Sequence, residues 1–126
     1  MTDRIKRELA LVKSVYGDVE VDADLHWFVI RRWPLVAGWN KQSTRLLVLI
    51  PSGYPITAPD NFFTEPDLAV QGAGAPGSTS GPVQHANQPW LQFSYHFVEA
   101  GEWQPDKGDN LLTFLDGIAK RLKEVS

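Results

Sequence analysis

An α+β fold is predicted by three features of the chain. Apolar residues recur at helical spacing near both ends, strand-like patterns lie between them, and the intervening connections are too short for parallel crossovers. At 126 residues the chain reads as a single domain, 1–126, long enough to bury a core without staples. Hydrophobic residues make up 43% and charged residues 21%, the balance of an ordinary soluble domain.

The first helix is predicted from Ile5, Leu9, Val12 and Tyr16, which share one face of a 3.6-residue period. Thr2 or Asp3 is available to cap its start and Gly17 to end it. Arg4, Lys6, Arg7, Glu8 and Lys13 fall on its other faces. From residue 19 the pattern turns strand-like. Val19 and Val21 alternate with acids, 25–33 is rich in aromatic and β-branched residues up to Pro34, and 44–50 is continuously apolar. Between the last two, Ala37-Gly38-Trp39-Asn40 reads as a turn, which makes Trp39 the tryptophan best placed for exposure as an interface anchor, with simple packing as the alternative. A short fourth strand follows at 61–64, completing a four-stranded antiparallel meander.

Residues 51–60 hold three prolines and a glycine, a stiff extended segment. Residues 71–87, with Gly72, Gly74, Gly77 and Gly81 among small polar residues, predict a flexible Gly-rich loop. No lysine or arginine lies between Arg45 and Lys107, so it is no phosphate cradle. Alternation then sets Trp90, Gln92, Ser94 and His96 against Leu91, Phe93, Tyr95 and Phe97. The second set is expected in the core, with the Tyr95 hydroxyl bonded to a partner and His96 exposed or lining a groove. Leu111, Phe114, Leu115, Ile118 and Leu122 predict the last helix, with Asp109 as its cap and Lys120, Arg121 and Lys123 at the end where cations favour the dipole.

Composition excludes several function classes. A net charge of −3 argues against a nucleic-acid or anionic-membrane surface. The absence of cysteine removes disulfides and thiolate-held zinc or iron–sulfur sites. His26, His85 and His96 match no metal spacing, so neither a metal nor a cofactor is expected. A charged N-terminus without an apolar leader, and no apolar run near the roughly 20 residues of a membrane span, predict a cytoplasmic protein.

Four motifs stand in a fixed order: Pro51-Ser-Gly53-Tyr54-Pro55-Ile-Thr-Ala-Pro59, then His85-Ala86-Asn87, then Tyr95, then Trp103-Gln-Pro105 before a helix. In this order and spacing the chain resembles the ubiquitin-conjugating (E2) superfamily over nearly its whole length, and looks closest to prokaryotic E2 family E. The resemblance implies a UBC-like fold of helix, four-stranded meander, long irregular segment and helix. It also implies a bacterial ubiquitin-like system, with a ubiquitin-like or multi-ubiquitin protein, an E1-like adenylating enzyme and a JAB-type protease as partners.

Two departures bear on activity. Ala86 replaces the proline of the family's His-Pro-Asn motif, and Tyr95 stands where the catalytic cysteine would be. The resemblance therefore implies a pseudoenzyme that binds partners, with His85, Asn87, Tyr95, His96 and Trp103 marking a degenerate active-site region. Asn87, at the family's oxyanion-stabilising position, has no acyl group to serve and reads as a turn residue, and His85 as a loop anchor. Arg4, Lys6, Arg7 and Lys13 on the first helix, with Trp39, are the partner-binding candidates. Pairing at an exposed sheet edge is a further mode. Two alternatives stand beside this reading: an acyl carrier or transferase using His96 or Ser94, and a structural subunit of a homo-oligomer.

Overall fold

The structure, a computed structural model, describes residues 2–97 and 102–126. It is α+β in the UBC-like arrangement: helix α1 (Thr2–Tyr16), strands β1 (Val19–Val21), β2 (Trp27–Pro34), β3 (Ser43–Leu49), β4 (Asp60–Thr64), β5 (Thr79–His85) and β6 (Gln88–His96), then helix α2 (Leu111–Lys123). The strands form one antiparallel sheet in the order β1-β2-β3-β4-β6-β5. The predicted meander is β1 to β4, and the sheet has six strands rather than four because a hairpin extends its far edge.

That hairpin corrects the reading of 71–87 as a flexible loop, since β5 occupies its second half. Gly81-Pro82 hid the strand. These residues fall in a register irregularity between Ser80 and Val83, where an edge strand tolerates a proline without an N–H. Helix α1 ends as expected at Gly17, whose φ of 83° suits a glycine and whose N–H bonds the Lys13 carbonyl at 2.9 Å. The cap of α2 is Asn110, not Asp109. Asn110 and Thr113 exchange side-chain and backbone bonds in a capping box. Asp109 instead accepts from the Gln104 N–H at 2.7 Å, closing the turn that leads in.

The main core lies between the sheet and the two helices. Leu9 and Val12 of α1 and Leu111, Phe114, Leu115, Ile118 and Leu122 of α2 face Phe28, Ile30, Leu46, Val48, Phe62 and Phe93. On the other face, Val29, Leu47, Phe63 and Trp90 form a second cluster. The Arg45 guanidinium covers it 5.1 Å above the Trp90 ring while bonding Gln88.

One buried carboxylate joins the layers. Glu8 accepts from Arg4 Nε at 2.6 Å, from the Tyr54 hydroxyl, and from the Leu111 N–H at 2.9 Å. Arg4 also donates to the carbonyls of Pro105 and Asp109 at 3.0 and 2.8 Å. Burial, reinforced by the bond to Glu8, drives the Tyr54 pKa far above its ordinary value, so the phenol keeps its proton. Removing Glu8 orphans three donors at once. Glu8→Ala is expected to cost about 3–5 kcal/mol in urea unfolding, whereas Lys6→Ala, on the exposed side of α1, stays within about 0.5 kcal/mol.

Candidate functional site

Successive residues of a strand point to opposite faces, and β6 uses this to separate Tyr95 from His96. Tyr95 turns toward the helices. Its ring packs edge-on against Phe62 and Phe114 at centroid distances of 5.8 and 5.6 Å. Burial raises its pKa. The hydroxyl is buried without a hydrogen-bond partner among the described residues, contrary to the expectation that it would find one. It reaches this position because residue 117 is glycine: a Cβ there would stand 1.9 Å from the phenol oxygen.

His96 faces the other way. Its Nδ1 meets the carboxylate of Asp60, its directly opposed residue on β4. This contact orients the ring and leaves Nε2 as the second nitrogen. Asp60 in turn lines a cleft of about 520 Å³, together with His26, Trp27, Leu49, Pro51, His85 and Ala86. All three histidines of the chain thus gather round one cleft, two in its wall and His96 on Asp60. Ser94, two residues before His96, is exposed, with its N–H on the Ser78 carbonyl.

The His85-Ala86-Asn87 segment is the tip of the β5–β6 hairpin. His85 pairs with Gln88, and the two residues between them have φ of 50° and 60°. Positive φ at both positions is the pattern of a type I′ turn. A proline is locked near −65° and cannot adopt it, so Ala86 and this turn belong together. Asn87, exposed at the tip, is a residue type that tolerates the left-handed region. The His85 carbonyl accepts from Trp90 Nε1 at 2.9 Å and its ring lies edge-on to Phe63 at 4.8 Å, which anchors the hairpin to the second face.

Trp103 closes the other side of the region. Its Nε1 donates to the Pro55 carbonyl at 2.7 Å, and its ring contacts Phe97 and Tyr54 at 4.9 and 6.1 Å. The residues expected to mark a degenerate active site are therefore divided by the sheet. His85 lines the cleft with Asp60, the partner of His96, while Tyr95 and Trp103 pack against the helix-side core.

The partner-binding candidates also divide. Lys6, Arg7 and Lys13 are exposed on α1, Lys6 and Lys13 on one side and Arg7 beside the exposed Leu11 on another. Arg4 is occupied by Glu8 and two carbonyls. Of the two readings of Trp39, exposed anchor or simple packing, the structure shows packing, for the residue is buried. Its indole N–H donates to the Leu122 carbonyl at 2.9 Å, so the ring fastens the turn to α2. Asp60 was missed, because its partnership with His96 depends on strand register across 36 residues. Among the described residues, Asp22, Asp24 and His26 bring ligand atoms within 4.8 Å of one another. Asp22 is already used there, accepting the His26 N–H at 3.0 Å within the β1–β2 turn.

A sequence model of the family described as prokaryotic E2 family E matches residues 5–125. The chain belongs to that family. No curated protein and no solved structure is matched.

Two pairs of variants check this geometry in thermal or urea unfolding. Tyr95→Phe removes an unpartnered hydroxyl and should leave stability unchanged or raise it by about 1 kcal/mol, whereas Gly117→Ala drives a methyl into the ring and should cost about 1–3 kcal/mol or more. Ala86→Gly should stabilise by up to about 1 kcal/mol by relieving positive φ, and Ala86→Pro should destabilise and break the turn.

Proposed function

We propose that this member of prokaryotic E2 family E works by recognition, as a non-catalytic E2-like protein of a bacterial ubiquitin-like system. It binds a ubiquitin-like or multi-ubiquitin protein, an E1-like adenylating enzyme, or both. A JAB-type protease of the same system is a further partner. The observation that carries the reading is the absence of a sulfur nucleophile and the state of Tyr95, the residue that the motif order puts where the family has its cysteine. E2 chemistry holds an activated acyl group on a thiolate, which requires a deprotonated, accessible sulfur. This chain has no cysteine. Tyr95 at that position has its oxygen against Gly117, with its pKa raised by burial.

The scaffold's contact surfaces remain. Lys6 and Lys13 present cationic charge on one side of α1, and Arg7 stands beside the exposed Leu11 on another, cations suited to steering an acidic partner onto the helix. The sheet ends at β1 and β5, where backbone pairing is a second mode of capture.

The Asp60–His96 contact favours one other reading, in which His96 Nε2 accepts an acyl group in place of sulfur. One experiment separates the two. The protein is incubated with the E1-like enzyme, the ubiquitin-like protein and ATP, then resolved under native and denaturing conditions. Recognition predicts a complex that survives only the native separation and is weakened about tenfold by combined Lys6→Glu, Arg7→Glu and Lys13→Glu. A covalent adduct abolished by His96→Ala would replace it with acyl transfer.

A further inference from the structure

The end of β2 remote from the histidine cleft opens on a different groove, of about 640 Å³. Three elements enclose it: the last turn of α1, residues 32–36 at and beyond the end of β2, and the final turns of α2. Its floor is apolar. Tyr16 stacks on Trp33 with ring centroids 5.2 Å apart, and Leu122 lies buried beside them. At the rim Val15 is 63% and Val36 43% exposed, both among the few large hydrophobic side chains left open to water among the described residues. Apolar surface in a groove, flanked by polar residues, is the ordinary mark of a docking site.

The charges at the rim restrict what can dock. Arg32 comes from β2 and Lys123 from α2, both exposed and neither in a salt bridge among the described residues. Asp116 lies within electrostatic reach of Tyr16, leaving cations in excess. This local positive charge sits on a chain whose net charge is −3, so it is not the by-product of a basic protein. An anionic membrane would be repelled by the rest of the surface. A fatty acid offers an apolar tail but a single carboxylate for the two cations, and serves as the control in the test.

We propose that this groove binds a short segment of a partner protein in which one or two large apolar side chains are flanked by aspartate or glutamate. The apolar side chains enter over Tyr16 and Trp33 between Val15 and Val36, and the flanking acids meet Arg32 and Lys123. The surface is separate from the α1 cations and from the cleft, so it stands whether or not the ubiquitin-like reading does.

The test uses the full chain, labelled with ¹⁵N and titrated with three probes. These are acetyl-Asp-Leu-Phe-Glu-amide, the same peptide with lysine in place of both acids, and decanoate. The acidic peptide is expected to move the amide resonances of Val15, Trp33, Val36 and Leu122. The double variant Arg32→Glu/Lys123→Glu should weaken it about tenfold or more while strengthening the lysine peptide. That gain cannot come from a misfolded variant, and Val36→Asp provides a second loss at an exposed position. Absence of shifts at the groove, indifference to charge reversal, or equal binding of the lysine peptide or decanoate would each overturn the proposal.

Discussion

Glu8 is the point on which the arrangement of the layers depends. Its carboxylate sits at the N-terminus of α2, where an unpaired N–H and the helix dipole both favour negative charge. It simultaneously holds the Tyr54 hydroxyl and the Arg4 guanidinium. Three segments distant in sequence thereby share one anion: the first helix, the proline-rich exit from β3, and the start of the last helix. Arg4 extends the connection to the carbonyls of residues 105 and 109. Tyr54 also contacts Trp103, whose indole bonds the neighbouring Pro55 carbonyl, so this aromatic pair is hung from the same network. A buried pair of this kind is costly to desolvate, and it is retained only where all its partners are in place.

From that frame, strand periodicity decides what the site can do. Tyr95 and His96 are adjacent in sequence and belong to different compartments. The first completes the helix-side core, and the second joins Asp60 at the cleft. Such a division does not suit chemistry that needs nucleophile, oxyanion donor and base within about 3 Å of one reacting atom. Asn87 is set apart as well, on a tight turn whose backbone excludes the proline of the family motif.

Legibility in the sequence followed the strength of local periodicity. Both helices and β1 to β4 were readable because their apolar residues repeat at 3.6 or 2, and the motif at 51–59 named the exit from the meander. Strand β5 was not readable. Thr-Ser-Gly-Pro-Val-Gln-His offers only Val83 as an apolar residue, because an edge strand borrows its register from β6 rather than specifying it. The two readings of Trp39 stayed open for a related reason, since turn composition describes the backbone and says nothing of where a large ring packs. Glu8 looked like one more helix-surface charge, and no local pattern announces partners 46 and 103 residues away. The Asp60–His96 pair was hidden in the same way.

These failures share a cause, and it bears on the function. Polar interactions joining distant segments leave no periodic trace, yet they determine which side chains are free to meet a partner. Arg4 and Trp39 were candidates on composition, and both are consumed by bonds that hold the fold. Lys6, Arg7 and Lys13 on α1, and Arg32 and Lys123 at the apolar groove, are cations that no such bond claims among the described residues. A charge already neutralised within the fold has little left for steering, whereas an unpaired one keeps its field in the solvent. The surfaces that remain available for recognition are therefore the ones the internal network has left alone.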